Sequence, residues 1–193
     1  MGLLSLAARA PLRFAVGYGG AKTVAADAMV QYYLEGKEQL DHRRLAVFAA
    51  FGFFQVGFVQ YQLYVSAFGK AFPQAATFAA KPVFQKLRDL RGLRSLASQV
   101  TLDQFLYHPF LYFPVFYVCK ELIETGPSVE TPSRALSKYV PNALEDLKAL
   151  WTIFVPVSIM QFSICPMHLR VPFTATAGFF WCGVLSFMRG AAK

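Results

Sequence analysis

Five apolar runs dominate the chain, at residues 12–34, 45–68, 102–119, 149–165 and 171–188. A helix that crosses the hydrocarbon layer needs about 20 residues, within a working range of about 17–25. The first two runs meet that length outright and the third and fifth are marginal. The fourth is short and broken by Pro156 and Pro166. Lipid admits only helices and closed barrels as spanning structures, because backbone N–H and C=O groups find no water there. Strict apolar–polar alternation is absent, which argues against a barrel. The expectation is an all-α integral membrane bundle of four or five transmembrane helices.

Composition agrees. Charged residues make up 16% of the 193, against about 25% in a typical soluble domain, and phenylalanine alone occurs 20 times. That leaves too little polar surface to cover a water-soluble globule. The whole chain, 1–193, reads as one membrane domain: a basic arm (1–13), two membrane helices (14–68), a basic loop (69–100) and the remaining helices (101–193).

The balance of 19 Lys and Arg against 11 Asp and Glu gives a net charge of +8. Such a charge attracts nucleic acids or anionic membranes. The aromatics are not interleaved with base-contacting residues and no nucleic-acid-binding motif occurs. Membrane lipid is therefore the expected partner, and nucleic acid is not.

The positive charge is concentrated. Arg9 and Arg13 lie in the N-terminal arm, and the 69–100 loop is strongly basic, with Asp89 its only acid. If the first two runs both cross, the arm and the loop share one side, the matrix or cytosol by the positive-inside rule. Within the loop, KPVFQKLRDLRGLRSLAS reads as a helix with Pro82 at its first position. Val83, Leu87, Leu90, Leu93 and Ala97 form its apolar stripe. This is the pattern of a basic amphipathic interfacial helix. Lys81, Lys86, Arg88, Arg91 and Arg94 are its candidate contacts to a bound anionic phospholipid such as cardiolipin.

The N-terminal MGLLSLAARAPLRFAV carries arginine, serine and small apolar residues and no acid. It resembles a mitochondrial targeting segment, and an internal, uncleaved import signal is expected.

Polar residues inside the apolar runs are the candidate functional positions. Asp27 must find a partner or water, since a carboxylate at the bilayer centre costs about 2.5–3.5 kcal/mol on insertion scales. It reads either as a tie between helices or as a carboxylate on a transport path. Gly17, Ala21 and Ala25, four apart, form a small-residue face suited to close helix approach. In DQFLYHPFLYFPVFY (103–117), Thr101 and Gln104 have capping-box spacing, placing Asp103 in a first helical turn at the membrane entrance. Pro109 and Pro114 should free the carbonyls of Phe105 and Phe110, which then need donors from neighbouring helices. His108 reads as a hydrogen-bonded interior histidine.

Cys119, Cys165 and Cys182 have no metal-ligand spacing and read as inert thiols. His42, His108 and His168 fall in separate segments, and no catalytic, phosphate-loop or dinucleotide motif occurs. No enzymatic activity, metal or catalytic cofactor is expected.

At DQFLYHPF and WTIFVPVSIMQFSICPMHLRV the chain resembles the Mpv-seventeen/PMP-twenty-two family of mitochondrial inner-membrane and peroxisomal membrane proteins. Its blocks correspond in order to Ala26, Asp27 and Gln31; to Asp41 and Arg44; to Asp103, Gln104 and Pro109; and to Trp151, Pro156, Phe162, Pro166, Arg170, Trp181, Leu185 and Ser186. The chain departs at GFVQYQLY (57–64), which keeps only Gly57 and Tyr64 of that block, and at Phe154, Ser158 and Gln161. The resemblance implies a compact helical bundle in the mitochondrial inner membrane, alternatively the peroxisomal membrane. It also makes Asp27, Gln31, Asp103, Gln104 and Arg170 the candidate pore-lining or helix-tying positions. Members have been proposed to form poorly selective pores for small solutes. The rewritten polar block favours instead an accessory subunit of a larger inner-membrane, respiratory-type complex, bound to other membrane-protein subunits.

Overall fold

A computed structural model describes residues 3–189, with side chains described for 5–182. Leu185 and Ser186 of the C-terminal block lie outside the described side chains. Among the described residues every regular element is helical. A short α1 (Leu3–Arg9) leads into α2, which runs over Pro11–Met29 and on through a wider turn at Val30–Leu34. The second helix of the pair, α3 (His42–Ala71), runs back. Two short helices follow, α4 (Ala75–Ala80) and α5 (Val83–Arg88). Then come a long α6 over residues 90–125, α7 (Thr131–Ile164) and α8 (Arg170–Arg189).

The burial pattern is inverted relative to a soluble protein. Arg170, His108 and the glutamines Gln31, Gln55, Gln99, Gln104 and Gln161 rank among the largest fully buried side chains. Phe54, Phe58, Phe105, Phe110 and Phe180 are exposed. Exposed apolar rings beside buried amides are favourable only where the surrounding medium is itself apolar. Two helices, His42–Ala71 and Thr131–Ile164, are long and apolar enough to cross a membrane, and only 33% of each apolar window is buried in the protein. They are not core helices of a soluble fold.

Two sequence expectations change. The Gly17/Ala21/Ala25 face is exposed, and a methyl added at Gly17 would meet nothing within 4 Å. The seam is instead Gly19, Gly20, Thr23 and Ala26, where α2 crosses α3. A Cβ on Gly19 would lie 2.8 Å from the Gly52 carbonyl, and one on Gly57 would lie 2.5 Å from the Val16 Cα. Two small-residue faces overlap on α2, and the glycines of α3 select between them.

The second change concerns the basic loop. Pro82 precedes its helix, which breaks at Asp89, where the carboxylate accepts from the Gly92 amide at 2.9 Å and caps α6. From there α6 runs unbroken through the expected membrane entrance. Thr101 is therefore interior to a helix rather than a cap, and Asp103 is buried mid-helix rather than exposed in a first turn.

Replacing Gly57 by Ala forces the α2 and α3 backbones apart and should lower stability by about 1–3 kcal/mol, the usual range for overpacking. Gly17→Ala should be neutral, or stabilising by up to about 1 kcal/mol. Unfolding of the purified protein in detergent, followed by circular dichroism, separates the two; equal effects would contradict the seam.

Candidate functional site

The polar interior begins with two prolines. Over Asp103–Tyr112, α6 adopts wide turns with Pro109 inside them. In that register each N–H reaches back five residues instead of four, as the Phe113 N–H does to the His108 carbonyl. Pro109 therefore orphans the carbonyl of Gln104, and Pro114 that of Pro109, rather than those of Phe105 and Phe110. Both orphans find side-chain donors on α7. Trp151 Nε1–H donates to the Gln104 carbonyl at 3.2 Å, and the Tyr139 hydroxyl to the Pro109 carbonyl at 2.8 Å. The defects in one helix are thus the docking points of the next.

Around this bend sits a buried carboxylate. Asp103 Oδ1 accepts from the Tyr64 hydroxyl at 2.7 Å, and Oδ2 accepts from Ser158 Oγ and Gln104 Nε2, each at 2.8 Å. Gln104 Nε2 also donates to Ser158 Oγ at 2.9 Å. His108 is interior as expected; its Nδ1 lies 2.8 Å from the Asp103 carbonyl oxygen, so that nitrogen carries the proton. Three helices, α3, α6 and α7, are tied at one residue.

Arg170 joins the same network from α8. Its Nη1 donates to the Tyr64 carbonyl at 3.1 Å and to Gln99 Oε1 at 3.3 Å, and its guanidinium lies 5.2 Å from the Phe162 ring centroid. Gln161 Nε2 donates to the Arg170 carbonyl at 3.2 Å. Tyr64 thus joins arginine and aspartate, with its carbonyl on one and its hydroxyl on the other.

Asp27 and Gln31 form a separate cluster at the α2–α3 connection. Asp27 accepts from Gln31 Nε2 and from Arg44 Nε, each at 2.8 Å. Gln31 Oε1 accepts from the Asp41 amide at 2.7 Å, and Arg44 Nη1 reaches Glu35 at 2.7 Å. Asp41 caps α3 by accepting from the Arg44 amide at 3.0 Å. Hydrogen bonds from the Arg44 and Arg43 amides hold the Asp41 carboxyl below its ordinary range. The Asp-x-x-Arg spacing thus serves two ends at once, a helix cap and a buried ion pair.

The five candidate positions therefore fall into two groups. Asp103, Gln104 and Arg170 are joined, while Asp27 and Gln31 belong to the connection. Sequence reading missed Tyr64, Gln99, Ser158 and Trp151 as members; Tyr64, Ser158 and Trp151 are polar or half-polar inside an apolar run, which was the available signal, while Gln99 lies in the basic loop and gave none. Among the candidate lipid contacts, Arg88, Arg91 and Arg94 are exposed. Lys86, 8% exposed, is turned inward to the Ala79 carbonyl at 3.0 Å, and Lys81 pairs with Asp89 at 2.6 Å. Burial and a local acid thus remove these two from the basic face.

The residues that supply Tyr139, Trp151, Ser158, Gln161 and Arg170 lie in the segment 126–186, which matches the model of the Mpv17 / PMP22 family. Over that segment the chain is similar to the family. It is 26% identical over 125 residues to Protein SYM1 of Mycosarcoma maydis, covering 65% of this chain and 60% of that protein. It is also 26% identical over 190 residues to Mitochondrial inner membrane protein Mpv17 of Caenorhabditis briggsae, covering 93% of this chain and 87% of that protein. No solved structure matches. The second relative's name places that protein in the mitochondrial inner membrane, and neither relative's name carries an enzymatic activity.

Trp151→Phe should cost about 1–3 kcal/mol by leaving the Gln104 carbonyl unpartnered. In a Pro109→Ala background the restored amide can reach that carbonyl, and the same change should cost under about 1 kcal/mol. A double-mutant cycle in detergent unfolding measures the coupling, and additive effects would contradict the five-residue register.

Proposed function

We propose that this chain is a member of the Mpv17 / PMP22 family in the mitochondrial inner membrane, and a non-catalytic structural subunit that docks, through α7, onto another protein of a larger complex there. One observation carries the reading. At 34 residues, α7 is about 51 Å long at 1.5 Å per residue, against about 30 Å of hydrocarbon. Its N-terminal half carries Arg134, Lys138, Glu145 and Lys148 and belongs outside the oil. Yet Leu136, Val140 and Leu144 form an exposed stripe there, at spacings of four. Apolar residues on a charged, water-facing helix call for a covering surface.

In this reading α2, α3, α6, α7 and α8 cross the bilayer, five spans in all. The arm, the α4–α5 loop and residues 165–169 share the matrix side. The named polar residues serve as ties between helices, which the hydrogen bonds of Asp27, Asp103 and Arg170 support. Arg88, Arg91 and Arg94, beside exposed Val83, Phe84, Leu87 and Leu90, lie on anionic phospholipid.

A poorly selective pore is the second reading, favoured by a polar cavity at the middle of the bundle. Native electrophoresis of gently solubilised inner membranes should find the wild-type chain in a large assembly and a Leu136→Glu/Val140→Glu/Leu144→Glu variant released from it. Migration of the wild type alone, together with conductance of the reconstituted protein, would favour the pore. For the lipid face, added cardiolipin should raise the melting temperature of delipidated wild type by several degrees. It should do little for Arg88→Glu/Arg91→Glu/Arg94→Glu; an equal rise in both would remove that face from the account.

A further inference from the structure

Lys22 lies near the middle of α2, so where that helix crosses the bilayer the ammonium sits deep in oil. Among the described residues it has no hydrogen-bond or ion-pair partner, in contrast to the Asp27–Arg44 pair farther along the helix. Its side chain lines a small cavity walled by residues of α2, α3, α6, α7 and α8. Gly178 makes room for it: a Cβ there would come within 3.0 Å of Lys22 Nζ. The cavity has a volume of about 10 Å³, room for one water-sized occupant.

Two further polar side chains face the same space. Thr174 and Gln60 are each 3% exposed, and Thr174 Oγ1 and Gln60 Oε1 have no partner. The remaining wall includes His108, whose Nδ1 proton is committed to the Asp103 carbonyl, and the ring of Phe154.

Charge decides what belongs there. In the core, the Asp103 carboxylate is held by the neutral donors Tyr64, Ser158 and Gln104. Asp27 is matched by Arg44. Lys22, when protonated, has no acid paired with it among the described residues, and an uncompensated ion in a low-dielectric interior is destabilising. A water molecule would solvate the ammonium without neutralising it.

We propose that the Lys22 cavity binds one small monovalent anion of halide size. Lys22 Nζ and the Thr174 hydroxyl donate to it, and so does the Gln60 amide once its oxygen and nitrogen ends are exchanged, an orientation set only by the hydrogen-bond network. The small volume favours a single-atom anion over a tetrahedral oxyanion. The site stands whether the protein serves as an assembly subunit or as a pore.

The test uses the full chain in detergent, exchanged into gluconate at constant ionic strength. Chloride or bromide should raise the melting temperature saturably, and sulfate should not. Chloride NMR lines should broaden with wild type and sharpen again on adding bromide. Lys22→Met should raise the half-saturating concentration at least tenfold, Lys22→Arg should retain saturable binding, and Thr174→Val should weaken it severalfold. The proposal is overturned if wild type shows no halide-specific, saturable response, or if Lys22→Met saturates at the wild-type concentration. If Lys22→Met does not fold, an unchanged half-saturation in Thr174→Val overturns it equally.

Discussion

In oil, a hydrogen-bonding group that lacks a partner within the protein has none at all. The chain meets this constraint at its most disrupted point, the bend of α6, by turning each backbone defect into a contact with α7. Trp151 and Tyr139 each span the helix–helix gap to a carbonyl that a proline has freed. Those bonds have direction, so they fix the rotation and height of α7 against α6, which apolar packing alone leaves loose. Asp103, inside the same wide turns, then lies within reach of Ser158 on α7 and Tyr64 on α3.

The rest of the bundle is arranged around that fixed pair. Tyr64 passes the connection on to Arg170 and hence to α8. On the other side, α2 and α3 approach through glycines until backbone meets backbone. Close approach of that kind suits a medium that offers no hydrophobic drive between helices, where dispersion and hydrogen bonds hold them together. The Asp27–Arg44–Glu35 cluster secures the end of this hairpin. Its ion pairs are partly buried, so removing one partner would strand a charge rather than merely delete a contact.

The departures from the family pattern acquire a meaning in three dimensions. Ser158 and Gln161 stand where other polar residues were expected, yet both still donate into the shared interior, to Asp103 and to the Arg170 carbonyl. Gly57 and Tyr64, the retained pair in a rewritten block, are the backbone contact with α2 and the relay between arginine and aspartate. In this chain the network and its tight crossing are built from these residues, and a hydroxyl or an amide at the right height can serve the same carboxylate.

The apolar runs determined where the long helices lie but not their extent: the run at 149–165 became the 34-residue α7, because its charged N-terminal part continues the helix beyond the apolar stretch. Sequence also located some of the interior polar residues, Asp27, Gln31, Gln104, His108 and Arg170 among them, since ionisable and amide groups within such runs must turn inward. It could not tell which of two small-residue faces on α2 was the seam, for that depended on glycines some thirty residues away. Nor could it place Asp103: the capping spacing at Thr101 was real, but α6 had already begun at Asp89. The register of the freed carbonyls, the inward turn of Lys86 and the isolation of Lys22 were likewise tertiary outcomes. Each depends on where a second helix lies, and directional hydrogen bonds and backbone contact between distant segments decide that.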